Sequence, residues 1–124
     1  MTTLTKTQGN VGLAIAWALQ IVCAAMFLFA GGTKLASAPM MVQTFETIGI
    51  GQWFRYLTGA IEVVSALLLL VPSLAFFGAM LLAATMIGAM ITHLFVVGGS
   101  PAAAIVLLAA TATIAWLRRP VSRD

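Results

Sequence analysis

Between Val63 and Leu117 the chain has no Asp, Glu, Lys or Arg: 55 residues in which His93 is the lone side chain of the usual pH-switching kind. A soluble domain keeps roughly a quarter of its residues charged to hold a water-facing surface. Here the whole chain has 7%. The uncharged stretch is too long for one membrane span and long enough for nearly three. A soluble globular domain is therefore excluded, and an integral membrane protein is expected. Cysteine is almost absent too. With Cys23 alone, neither an intramolecular disulfide nor a CxxC redox pair can form, and Cys23 reads as a small buried hydrophobe. There is no HExxH, no Gly-rich phosphate loop and no Ser-His-Asp set, which excludes ATP hydrolysis and proteolysis. The apolar runs do not alternate with polar residues, as the strands of a transmembrane barrel would. The net charge of +3 comes from a few Lys and Arg at segment ends. That is a pattern of topology signals, so no nucleic-acid partner is expected.

What is present is apolar. The 124 residues are 62% hydrophobic, with a mean hydropathy of +1.11. Lipid offers no water to satisfy backbone groups, so the core must be helix against helix. The expected fold is all-α: one integral membrane four-helix bundle, residues 1–124, with spans at about 11–30, 54–71, 74–97 and 102–117. Val11–Ala30 has features of a signal peptide, with Lys6 before it and Ala36-Ser37-Ala38 after it. Its apolar run exceeds the usual 7–15 residues, and Pro39 would directly follow the cut, so it is read as a retained span. Between the first two spans, Val42, Phe45 and Ile48 recur at helical spacing after Pro39. This predicts a short amphipathic helix over 39–48 at the interface. Trp53, Phe54 and Tyr56 form an aromatic anchor where the chain re-enters the bilayer. Small residues at Ala84, Gly88 and Thr92, and the alanines of the last span, suit close helix packing and self-association into an oligomer.

Four spans put both ends on one side. Lys6, Arg118, Arg119 and Arg123 lie there, against Lys34 and Arg55 opposite, which favours cytoplasmic termini. Span order then gathers the ionisable residues by depth. Lys34 closes the first span and Arg55 opens the second. Glu62 lies roughly 13 Å in from Trp53 at 1.5 Å per residue, and His93 ends the third. All four fall in the outer half of the bundle. Glu62 is the expensive member: a carboxylate at that depth costs a few kcal/mol and must be paired, hydrated or protonated. It reads either as a ligand anchor or proton-handling group, or as a clasp between helices. His93 reads as hydrogen-bonded helix glue, or else as a proton carrier or a metal or haem ligand. Lys34 reads as an interfacial snorkelling cation, and Arg55 as a topology anchor. Met86, Met90 and His93 share one helix face, a set that soft copper(I) favours. Met is also ordinary core filler, and no bound metal is expected.

These residues stand in a familiar order. Gly31-Gly32-Thr33-Lys34-Leu35 closes the first span, followed by Pro39, Phe45, Ile48-Gly49 and Gly59-Ala60-Ile61-Glu62. Leu67–Leu70 and Pro72 come next, then Met86-Ile87-Gly88-Ala89 and Thr92-His93-Leu94. Over residues 13–117 this resembles the DoxX-like family of small bacterial four-span membrane proteins. The resemblance implies a four-helix bundle in the bacterial inner membrane. The wider family includes a subunit of a thiosulfate:quinone oxidoreductase and members linked to oxidative-stress complexes, which implies a lean toward redox work with a partner protein. The family's Lys, Glu and His positions correspond to Lys34, Glu62 and His93, with Arg55 beside them.

Three readings follow in order. The first is a subunit that binds a small apolar molecule such as a quinone, the cofactor otherwise being open. The second is a non-enzymatic membrane scaffold or assembly protein. The third is a small-solute or proton pathway.

Overall fold

The computed structural model describes residues 2–120, with side chains described from Gly9 onward. Of the charges behind the expected topology, Lys6 and Arg123 lie outside the described side chains. The described residues form helices and no strands: α1 (Thr2–Leu35), α2 (Pro39–Ile48), α3 (Gln52–Leu69), α4 (Ala75–Thr92) and α5 (Ala102–Leu117). A π-helical turn, His93–Val97, continues α4. Two helical stretches are long and apolar enough to cross a membrane: Gly9–Leu35, with mean hydropathy 2.3, and Ala75–Val97, with 2.1. Ala102–Leu117 is apolar but shorter.

Local chemistry sets the breaks. Pro39 begins α2, where its missing N–H costs nothing. Gly49 ends it at φ +83, its N–H bonded back to the Phe45 carbonyl, a conformation that glycine adopts without steric cost. Phe45 is the buried residue of α2, and its ring meets that of Phe54 on α3 with centroids 5.8 Å apart. α2 therefore lies as a cross-piece over the start of α3. The amphipathic spacing of Val42, Phe45 and Ile48 had pointed to this helix over the same residues.

The long helices pack as a ring, α1 against α3, α3 against α4, α4 against α5, and α5 back against α1. Each turns one stripe inward. Ala16, Gln20, Cys23, Ala24 and Phe27 form the stripe of α1, at the spacing that keeps residues on one helical face. Leu69, Ala79, Leu82 and Ile114 meet it from the other helices, all fully buried.

Backbones approach closely at two points. A Cβ on Gly31 would lie 2.8 Å from the Gly59 carbonyl oxygen, and one on Gly59 would lie 3.0 Å from that of Gly31. α1 and α3 thus cross glycine to glycine. Gly78 brings α4 equally close to Ser65 and Leu68 of α3. The small face expected to serve this purpose, Ala84-Gly88-Thr92, does not: Ala84 and Gly88 are exposed, and nothing lies within 4 Å of a Cβ on Gly88. Packing of α4 runs instead through Ala75, Gly78, Ala79 and Leu82, a few turns nearer its start.

Candidate functional site

The ends of α1 and α4 and the start of α3 meet at one end of the ring, with α2 lying across them. Between them is a cavity of about 470 Å³. α2 contributes Met40, Met41 and Phe45, and α3 contributes Leu57, Thr58 and Glu62. α4 and the π-helical turn add Thr85, Met86, Thr92 and His93, and α1 adds Lys34. The volume falls within the range of small-molecule sites, and such sites join apolar walls to a few placed polar groups.

Glu62 belongs to the buried stripe of α3. Its Oε1 lies 2.8 Å from Lys34 Nζ, with side-chain exposures of 3% and 15%. The two charges meet in surroundings where an unpaired ion would be costly.

Arg55 takes a different place from the one its sequence position suggests. It is buried and lies outside the cavity wall. One guanidinium nitrogen donates to the Lys34 carbonyl, its Nε donates to Gln52 Oε1 at 2.7 Å, and the group stacks over the Tyr56 ring. The Lys34 carbonyl is among the last of α1, which have no partner within the helix. That carbonyl also accepts from the Ser37 N–H at 3.3 Å, so Arg55 adds a second donor and sets a cation at the negative end of the helix. It is a helix cap more than a surface anchor.

His93 opens the π-helical turn and borders the cavity. Its Nδ1 lies 3.0 Å from the Gly98 carbonyl. Gly98 and Gly99 both have φ near +75, reversing the chain towards α5. π-helical turns within α-helices occur often at functional sites. The structure thus brings Lys34, Glu62 and His93 to one cavity and leaves Arg55 behind it. Among the described residues no three His, Cys, Asp or Glu side chains cluster to hold a metal ion.

Sequence reasoning missed two features. The methionines of α2, Met40 and Met41, line the cavity, because the cross-piece folds back over it. At the opposite end of the ring lies a second polar contact. Gln20, fully buried in α1, donates from Nε2 to the Leu69 carbonyl at 2.7 Å, and its Oε1 accepts from Arg118 Nε at 2.7 Å. An uncharged amide inside an apolar run was the available signal.

A family model described as DoxX-like matches residues 18–118. The chain belongs to the DoxX-like family. The match covers the second half of α1 and all of α2 to α5, with Lys34, Arg55, Glu62 and His93 inside it. No curated protein and no solved structure matches the chain. DoxX-like proteins are membrane-associated, in keeping with the two helical stretches apolar enough to cross a bilayer.

Proposed function

We propose that this DoxX-like protein is a four-span protein of the bacterial inner membrane that binds a small apolar molecule with a polar head, of quinone type, as a subunit of a redox complex. The observation that carries the reading is the cavity: about 470 Å³, walled by Met, Phe, Leu and Ile, with one buried ion pair in the wall. A headgroup would engage Glu62 and Lys34 while its apolar body lies against Met40, Met41 and Met86.

Support for four spans comes from what the ring leaves outside. Large apolar side chains are exposed on every ring helix, including Phe29, Leu67, Phe77, Phe95 and Val106. Such a surface needs lipid around it. α3 and α5 run 18 and 16 residues, about 27 and 24 Å at the helical rise. The interfacial residues Trp53 and Tyr56 at the head of α3 extend its reach. Both termini are assigned to the cytoplasm. Arg118 and Arg119 lie at that end, whereas the opposing cations are occupied, Arg55 as a buried cap and Lys34 in an ion pair.

The test is to purify wild type and Glu62→Gln in mild detergent, each shown by circular dichroism to be folded, and identify bound small molecules by mass spectrometry. A quinone or similar ligand carried by wild type and lost from the variant is the expected result. Identical lipid-only profiles would overturn the reading. They would favour the scaffold alternative, which rests on the same ion pair joining α1 to α3.

A further inference from the structure

The polar groups around the cavity are almost all of one kind. Four threonines face it: Thr44, Thr58, Thr85 and Thr92. Each gives its hydroxyl proton to a carbonyl one turn back on its own helix, at 2.8 Å in every case: Met40, Phe54, Leu81 and Gly88. A hydroxyl has one proton and two lone pairs. With the proton committed, each threonine offers the cavity only an acceptor.

His93 follows the same rule. The Gly98 carbonyl 3.0 Å from Nδ1 can only accept, so Nδ1 carries the ring proton. In the neutral imidazole that leaves Nε2 as an acceptor. In its charged form, the form that pairs with Lys34 at 2.8 Å, Glu62 accepts only. The thioethers of Met40, Met41 and Met86 are weak acceptors. The one donor group is the Lys34 ammonium, and it is already drawn to Glu62.

Resting on the reading of this cavity as a ligand site, we propose that its ligand carries a hydrogen-bond-donating head, a phenol or hydroquinone, with Glu62 as the principal acceptor. The same skeleton bearing carbonyl or ether oxygens is the poorer ligand. A carbonyl head would compete with Glu62 for the one ammonium and would face lone pairs elsewhere. A hydroxyl head finds acceptors on α2, α3 and α4 and leaves the ion pair in place. In a redox complex the site would therefore hold the reduced form of a quinone-type molecule in preference to the oxidised form.

The test uses a redox-inert matched pair, 4-nonylphenol and 4-nonylanisole. Each is titrated calorimetrically into the full-length protein in detergent micelles, with protein-free micelles subtracted to remove partitioning. A hydrogen bond to a charged acceptor supports a preference of about tenfold or more for the phenol. In Glu62→Gln, checked for folding by its melting curve, that ratio falls several-fold. Equal affinities, or a preference for the anisole, would overturn the inference while leaving the cavity as a ligand site. An unchanged ratio in Glu62→Gln would also overturn it, because Glu62 would then not be the acceptor. Binding of neither compound would remove the cavity reading and this inference with it.

Discussion

Arg55 and Glu62 lie two turns apart on the buried face of α3, and both act on the same residue of α1. Arg55 donates to the backbone carbonyl of Lys34, and Glu62 pairs with its ammonium at 2.8 Å. The end of α1 is thereby fixed by backbone and side chain at once, just above the crossing of Gly31 and Gly59. The cavity wall inherits that rigidity, since Lys34 and Glu62 are both part of it. A binding group held this way keeps its position without help from the ligand, which limits what binding must spend on ordering.

The ion pair predicts a non-additive mutant cycle. Lys34→Met strands a carboxylate that is 3% exposed. It should cost about 3 kcal/mol, the low end of the range for breaking a buried pair, because Lys34 itself is partly open. Glu62→Gln strands the more accessible ammonium and should cost less. The double variant Lys34→Met/Glu62→Gln should regain most of the loss, since no charge is left alone. Unfolding in detergent, followed by circular dichroism, measures all three. Simple addition of the two single losses would show that the pair contributes no coupling.

The glycine crossing predicts a sharp contrast between neighbours. Gly31→Ala places a methyl 2.8 Å from the Gly59 carbonyl oxygen, whereas Gly32→Ala meets nothing within 4 Å. Gly31→Ala should lower stability by about 1–3 kcal/mol, the usual cost of overpacking. Gly32→Ala should be neutral or slightly stabilising, because alanine is the better helix former. Melting temperatures of the two variants decide this. Equal behaviour would place the crossing elsewhere.

The sequence already contained the helices and the depth of the polar residues, because both follow from local rules. Uncharged runs mark helices in lipid. Pro39 and Gly49 bracket α2, and span order places Lys34 and Glu62 in the same half of the bundle, a statement of depth and not of contact. What it could not contain depends on how helices are arranged around the ring. Gln20 and Arg118 are 98 positions apart, and nothing local links them. Arg55 beside Trp53 and Tyr56 has the composition of an interfacial anchor. Its burial comes from the direction of α3 relative to the last carbonyls of α1. The π-helical turn from His93 is a shift in backbone bonding that the side chains of 92–97 do not announce. The small face at Ala84, Gly88 and Thr92 does not pack within the chain, because such faces mark where helices can approach, not which of several will.

His93 is expected to hold the reversal before α5. His93→Phe keeps a ring of similar shape and removes the bond to the Gly98 carbonyl. A single hydrogen bond of this kind contributes about 1 kcal/mol, so the global melting temperature should move little. Amide exchange over Phe95–Gly99 should quicken, since that segment loses its one side-chain tie. Unchanged exchange would show that Gly98 and Gly99 set the turn alone.

The contact at the other end of the ring predicts an order of losses and a separation from binding. Gln20 is fully buried and makes two hydrogen bonds, to the Leu69 carbonyl and to Arg118. Gln20→Leu leaves that carbonyl and the Arg118 Nε both without their partner, so it should cost about 1–3 kcal/mol. Arg118→Met frees only Gln20 Oε1 and keeps an apolar stem against Trp17, over which the guanidinium now sits at 5.3 Å, so its cost should be smaller. Neither residue borders the cavity. Both variants should therefore retain the wild-type preference for a phenol over its methyl ether even as their melting temperatures fall. Loss of that preference in Arg118→Met would mean that the two ends of the ring are coupled through α3, whose final carbonyl, that of Leu69, Gln20 holds and whose first three turns carry Arg55, Thr58 and Glu62.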